Sequence, residues 1–366
     1  MGPQPAFPVS VENCEDAAGI RAGAYVPHTT HNVRATRIGR GTVPSARIEH
    51  SSGIDTRYRV RNVFYLVKAA AVAPCLVVFA APSSAQDIEP RSYSNAPIGV
   101  NFLIAGYAYT RGGLSFDSSL PITNVHLQTS NAVAAYARSL DLWGTSGKFD
   151  VIVPYSWLSG TAEYAGDSVR RVVNGFSDPR FRLSVNLYGA PALTLNEFRD
   201  YRQDLIVGAS LQISAPWGQY DSERVVNLGT HRWWFKPELG VSKAEGPWTL
   251  ELSAAATFYT DNNNFYGGNE RSQDPVYSSQ AHVIYGFQSG AWLSVDATYF
   301  AGGRTTVNGV LDNNLQQNWR FGGTLAFPLD VRNSIKLYAS SGVSARTGNN
   351  FDLLGIAWQY RWGAGI

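Results

Sequence analysis

From Trp248 to Tyr259 the chain alternates without interruption. Trp248, Leu250, Leu252, Ala254, Ala256 and Phe258 take one face, and Thr249, Glu251, Ser253, Ala255, Thr257 and Tyr259 the other. A period of two places apolar and polar residues on opposite sides of an extended strand. This run is longer than the mode of about 5–6 residues for strands in soluble domains. Its length suits a tilted strand that crosses a bilayer, with an aromatic residue at each end of the apolar face.

The same pattern recurs down the chain. Phe181, Leu183, Val185 and Leu187 alternate with Arg180, Arg182, Ser184 and Asn186, a parity that would also turn Tyr188 inward. Leu205, Val207, Ala209, Leu211 and Ile213 interleave with Gly208, Ser210, Gln212 and Ser214. Trp233, Phe235, Leu239 and Val241 oppose Arg232, Lys236, Glu238 and Ser242, with Trp234 on the polar side. Leu293, Val295, Ala297 and Tyr299 oppose Ser294, Asp296 and Thr298, and Trp319, Phe321, Leu325 and Phe327 oppose Asn318, Arg320 and Thr324. Ile335, Leu337, Ala339, Val343 and Ala345 oppose Lys336, Ser340, Ser344 and Arg346. Leu354, Ile356, Trp358, Tyr360 and Trp362 oppose Gly355, Gln359 and Arg361. Weaker alternation covers 98–110, 125–139, 148–158 and 277–287, for a total of twelve strands.

Short connections at Asp141–Gly147, Lys243–Pro247, Gln288–Gly290 and Leu329–Asn333 alternate with longer polar ones at Arg111–Asn124, Gly160–Ser177, Trp217–Thr230, Thr260–Pro275 and Gly302–Leu315. That rhythm fits a barrel with one periplasmic and one external end. Ala190–Arg202, long where a short turn is due, and Thr347–Asn350, short where a long loop is due, depart from it. The fold expected is all-β: a transmembrane, antiparallel, up-and-down β-barrel of about twelve strands. A soluble sandwich or lipocalin-like barrel would show the same alternation with the apolar face inward. Strand length, aromatic ends and loop rhythm favour the membrane barrel.

Composition agrees. Charged residues are 16% of the chain and aromatics 13%, against about 25% charged in soluble domains. No run of apolar residues is long enough for a membrane helix. Both cysteines, Cys14 and Cys75, precede the alternating region, which excludes thiol chemistry beyond residue 85. The positive charge is concentrated ahead of the barrel, with 9 Lys/Arg against 5 Asp/Glu up to Ala85 and 21 against 23 beyond it, so no basic tract points to nucleic acid. Arg57, Arg59, Arg61 and Lys68, then the apolar Ala69–Ala81 and Ser83-Ser84-Ala85 before Gln86, read as a secretory signal. A signal does not normally begin so far into a chain, which suggests translation starting near Val63. The expected organisation is therefore a non-native or leader segment at 1–62, a signal peptide at 63–85 and the barrel at 86–366.

In a membrane barrel the polar faces turn inward. Arg138, Lys148, Arg180, Arg182, Arg232, Lys236, Arg320, Lys336, Arg346 and Arg361 would then meet Asp150, Glu238, Glu251 and Asp296 in the lumen. The candidate lining comprises Arg180, Arg182, Arg232, Lys236, Glu238, Glu251, Asp296, Arg320, Lys336 and Arg346. Such a basic excess would attract anions in a water-filled pore, whereas mutual pairing would plug a narrow one; at this strand number both outcomes stay open. The histidines beyond residue 85 are His126, His231 and His282. They form no compact pattern with serine and asparagine, so no catalytic residue is assigned. No paired His spacing suggests a metal, and no cofactor is implied. Asp261-Asn262-Asn263-Asn264 resembles a calcium loop only superficially and reads as a mobile outer loop.

Pro97-Ile98-Gly99-Val100-Asn101-Phe102-Leu103 followed by Gly106-Tyr107-Ala108-Tyr109 resembles the opening strand of the outer-membrane transporter family associated with the meta-cleavage pathway of phenol degradation. Pro154-Tyr155-Ser156 and Gly175-Phe176-Ser177-Asp178-Pro179, the latter a G-x-x-D-P turn, are similar to its next recurrent stretches. The resemblance spans about residues 92–362 and implies a channel for aromatic or other hydrophobic compounds, without catalytic residues. The chain departs from the usual terminal aromatic, ending in Gly363-Ala364-Gly365-Ile366 after Trp362. The expectation is a non-enzymatic channel in a Gram-negative outer membrane, working by passive diffusion. Its partners would be outer-membrane lipids, a small-molecule solute and the barrel assembly machinery. The competing readings are a lipid-modifying barrel enzyme and a closed structural barrel.

Overall fold

A computed structural model describes residues 88–113, 120, 122–164, 166–347 and 350–366. The expected leader segment at 1–62, the expected signal peptide at 63–85 and both cysteines lie outside these residues.

The strands are β1 (Asn101–Gly112), β2 (Ile122–Leu142), β3 (Thr145–Tyr164), β4 (Asp167–Phe176), β5 (Arg180–Tyr188), β6 (Leu205–Ser214), β7 (Trp234–Glu245), β8 (Trp248–Tyr259), β9 (Asn262–Phe265), β10 (Asn269–Gln273), β11 (Val276–Gly286), β12 (Trp292–Gly302), β13 (Thr305–Val307), β14 (Val310–Leu311), β15 (Gln316–Pro328), β16 (Asn333–Ala345) and β17 (Phe351–Trp362), with one helical turn, α1 (Leu195–Phe198). The wall runs in chain order, antiparallel throughout, and the β1–β17 pairing joins its ends. β4 and β5 pair with the outer and inner halves of β3, so they share one position, interrupted at Ser177–Pro179. The result is a closed barrel of 12 strand positions.

Alternation sets the facing. Leu252 is 65% exposed on the outside while its neighbour Glu251 is 7% exposed within. Aromatic residues edge the apolar band: Trp248 meets Tyr285 at 4.8 Å and Trp358, Tyr360 and Trp362 stack near the periplasmic end, while Tyr299 meets Trp319 at 4.8 Å near the outer end. Such girdles mark the two membrane interfaces. Trp143-Gly144, with φ values of 58° and 82°, makes the tight turn between β2 and β3. A two-residue hairpin loop with both central φ positive matches the twist of its strands.

Several connections differ from expectation. Gly160–Ser177 is not a loop: β3 and β4 continue through it as a hairpin, paired from Tyr155–Phe176 to Tyr164–Asp167, and Leu158, Val169 and Val173 pack into an apolar cluster of the outer end. Thr260–Pro275 and Gly302–Leu315 build a small outer sheet from β9, β10, β13 and β14. Asn262, expected in a mobile loop, is buried there; its amide donates to Tyr220 Oη at 3.0 Å and to the Thr230 carbonyl at 3.1 Å. The long inner loop Ala190–Arg202 carries α1, closed by a capping box between Thr194 and Glu197.

Three inward assignments are also corrected. Val343 is a bulge, since Trp319 pairs with Ser344 but Arg320 with Gly342. The extra residue reverses the alternation, and Arg346 lies exposed beside the outward Trp319 and Tyr299. A second bulge at Leu187 turns Tyr188 outward, where it is 63% exposed. Arg138 is exposed because β2 carries apolar residues on both faces, and the face with Val133, Ala135 and Ala137 is the buried one.

Candidate functional site: the barrel interior

The interior has two unlike walls. Around β1, β2, β3 and β17 it is apolar: Val100, Phe102, Ile104, Val133, Ala135 and Ile152 form one buried cluster, with Tyr338 packed against it. Around β3, β5 to β8, β11 and β12 it is mainly polar, with Ile206, Trp234, Ile284 and Trp292 buried among the charged groups. Cross-strand register assembles that side, because residues directly opposite on one face stand within side-chain reach. Asp150 faces Arg182, whose Nε donates to Asp150 Oδ2 at 3.1 Å. His282 sits between Glu251 on β8 and Asp296 on β12 in one row, with its Nδ1 2.8 Å from Asp296 Oδ1. Ser242 Oγ donates to Glu251 Oε1 at 2.9 Å, and Lys236 Nζ lies 3.6 Å from Glu238 Oε2.

Of the ten sequence-predicted lining residues, Arg180, Arg182, Arg232, Lys236, Glu238, Glu251, Asp296, Arg320 and Lys336 are buried on the inner face, and Arg346 is not. They do not converge on one centre. Arg320 lies toward the outer end, donating to the Phe351 carbonyl at 3.0 Å and to Ser340 Oγ at 2.7 Å, with its guanidinium 3.9 Å over the Phe351 ring. Arg232 lies 4.5 Å over Tyr259, and Lys336 Nζ 4.8 Å over Tyr338. A charge desolvated over an aromatic face keeps part of its stabilisation. These ring contacts help to hold cations inside the barrel.

The segment 88–99, ahead of β1, also occupies the interior, which the alternation did not reveal. It enters at the periplasmic end, where the Ile98 N–H donates to the Leu193 carbonyl at 2.9 Å and the Gly99 N–H to the Ser139 carbonyl at 3.0 Å. Deeper in, Glu89 pairs with Arg182 on the side away from Asp150, and its N–H donates to Gln280 Oε1 at 3.2 Å. The Arg91 N–H donates to Glu251 Oε2 at 2.6 Å, Lys148 Nζ to the Ser92 carbonyl at 3.1 Å, and Tyr93 Oη to Glu238 Oε1 at 3.0 Å. The Tyr93 ring lies on Gly208 and Gly240, which face one another across β6 and β7; a Cβ at either would clash with it. Paired inward glycines in two adjacent strands were the available signal, since glycine within a strand marks a close approach by another group.

The outer end is narrowed independently. Val225, Val226 and Leu228 of the connection after β6 pack on Leu127, Leu158 and Val173 of the wall. Asp178 of the G-x-x-D-P stretch holds this connection in place. Its carboxylate accepts from the Gly218 N–H at 2.8 Å and from the Thr230 N–H and Oγ1, both at 2.7 Å.

For hydrolysis a serine would have to reach His282. Ser294 Oγ instead donates to Asp296 Oδ2 at 3.0 Å, and no serine bonds His282 among the described residues. Nor do the described residues contain a group of three or more His, Cys, Asp or Glu side chains arranged to hold a metal.

Among solved structures, an outer membrane channel from Pseudomonas putida F1 shares the fold, with a TM-score of 0.63 at 18% identity over 75% of this chain and 100% of that one. More distant barrels include the transport unit of the autotransporter AIDA-I from Escherichia coli, with a TM-score of 0.43 at 7% identity over 74% of this chain and 92% of that one. The KdgM porin in complex with disordered oligogalacturonate gives 0.37 at 8% identity over 70% and 98%. Curated protein sequences give no significant match. The sequence profile described as "Putative MetA-pathway of phenol degradation" matches residues 109–360, from the outer end of β1 to β17. The chain, an outer-membrane β-barrel, therefore belongs to this phenol-degradation family.

Proposed function

We propose that this protein is a channel that passes small aromatic or hydrophobic molecules across the outer membrane by passive diffusion, without chemical conversion. The observation that carries the reading is the two-sided interior. An apolar wall of Val100, Phe102, Ile104 and Ile152 faces a wall of buried, hydrogen-bonded charges. An aromatic ring with one polar substituent meets a partner on each side of such a path, whereas a porin for sugars or ions needs no apolar wall. The segment 88–99 restricts the path in the conformation described, and passage requires it to move. Its anchors to the deep wall include the Glu89–Arg182 pair, a few hydrogen bonds, the Arg91 guanidinium 5.4 Å from the centre of the Trp292 ring and the Tyr93 ring; it belongs to no strand ladder, which makes displacement less costly than unfolding any strand. In the proposed organisation, cleavage after Ala85 leaves Gln86 as the mature N-terminus, so this segment opens the exported chain.

Uptake of labelled phenol and benzoate into cells with and without the protein tests the reading. The expected result is faster initial uptake with the protein, linear in concentration and insensitive to loss of the proton gradient. Equal uptake with and without it would overturn the proposal. Hydrolysis of phospholipid by the purified barrel would instead support the enzymatic alternative.

A further inference from the structure

We infer that the outer mouth carries a binding site for a small amphiphilic carboxylate, separate from the interior network. Between the β3–β4 hairpin and the connection after β6 lies a cavity of about 200 Å³. Its floor is apolar and buried, from Leu127, Ala162, Val225 and Val226, with Tyr266 at one side. Its rim is cationic: the exposed Arg170 and Arg224 and the half-buried Arg171 line it together with the carboxylate of Glu223, with Asp221 close to Arg171 and Arg224. An apolar cavity of about 150 Å³ is large enough to take benzene, so this volume suits one ring or a short alkyl tail.

The rim is under-neutralised. Arg171 spends its Nε on the Val226 carbonyl at 3.1 Å, and its terminal nitrogens make no hydrogen bond among the described residues. Arg224 has only a loose pair with Asp221 at 4.0 Å, in which both side chains are largely exposed. Arg170 has no hydrogen-bond or ion-pair partner among the described residues. A guanidinium offers planar, paired donors that match a carboxylate. An anion at this rim would offset the repulsion of neighbouring cations while its apolar part entered the floor. A neutral ring would gain only the floor, and a small anion such as acetate only the rim. As an entry station the site depends on the channel reading, but its existence as a binding site does not.

Equilibrium dialysis of labelled benzoate against the full-length protein in detergent tests it, with benzyl alcohol and acetate as the ring-only and charge-only probes. Saturable benzoate binding is expected, at least about tenfold tighter than either comparator, as a charge-assisted contact added to ring burial allows. It should weaken between 0.1 M and 1 M salt, as the Debye length falls from about 10 Å to about 3 Å. R171Q/R224Q should lose the preference for benzoate over benzyl alcohol while still binding the alcohol. Should the pair disturb folding, judged by gel mobility with and without heating, R224Q alone suffices, because Arg224 is exposed and should lower the preference in part. Filling the floor with Ala162→Leu should weaken both ring compounds. No saturable benzoate binding, or an unchanged preference in folded R171Q/R224Q or R224Q, would overturn the site. Benzoate binding without facilitated uptake would retain the site and remove the channel reading; uptake without binding would do the reverse.

Discussion

At Leu252 and Glu251 the direction of a single side chain decides between lipid and lumen. Leu252 is among the most exposed apolar residues of the wall, and Glu251 accepts from Ser242 and from the backbone of Arg91. Near the bilayer midplane an outward arginine costs about 2–4 kcal/mol. Leu252→Arg should therefore lower the yield and stability of barrels refolded into vesicles, measured by heat-modifiable gel mobility and urea titration. Glu251→Gln keeps the shape and an acceptor, and should cost less. The reverse order would contradict the facing. Leu252 was legible in the sequence because its strand alternates without a fault. Arg346 was misread because one extra residue at Val343 reverses every position beyond it, and a bulge leaves no mark in a hydrophobic pattern. Arg138 was misread because both faces of β2 are apolar, so period two gives the strand but not its sense.

Among the elements, the connection after β6 depends most on a single group. Asp178 accepts three hydrogen bonds from Gly218 and Thr230, and hydrogen bonds to a charged acceptor contribute about 1.5–3 kcal/mol each. Asp178→Ala should release the connection and speed tryptic cleavage after Arg224 in reconstituted barrels by at least about tenfold, since about 1.4 kcal/mol of local opening corresponds to that factor. Unchanged cleavage would show that the apolar packing of Val225 and Leu228 alone holds it. On the periplasmic side, the backbone and hydroxyl of Thr194 hold the Glu197 carboxyl below its ordinary range. A carboxylate whose folded pKa is depressed stabilises α1 above its unfolded pKa, near pH 4.3, and loses that contribution as pH falls through the lower folded value. Exchange protection at the Thr194 amide, corrected for intrinsic rate, should therefore be flat above about pH 5 and fall below about pH 4. Glu197→Gln should abolish that dependence. All twelve wall positions were readable from alternation. The hairpin beyond the membrane and the small outer sheet were not, because Gly160, Gly175 and the polar residues around them look like loop when the partner strand is unseen.

For the whole molecule, the interior combines a basic lining with a segment that blocks it. Arg180, Arg232, Arg320 and Lys336 are buried inside, while Arg182 is shared between Asp150 and Glu89. An open path should prefer anions at low salt, read from reversal potentials, and lose that preference as screening rises. Arg180→Ser/Arg320→Ser should lower it; an unchanged potential would remove both from the conducting path. The blocking segment was invisible to periodicity because 88–99 has no regular structure of its own and takes its place from partners far along the chain. The most direct test of the account is single-channel conductance in planar bilayers, with wild type beside Glu89→Ala/Tyr93→Ala, which removes the pair with Arg182 and the ring seated on Gly208 and Gly240. Small, infrequent openings are expected in the wild type and larger, longer ones in the variant. Equal conductance in the two proteins, or none in either, would contradict the account.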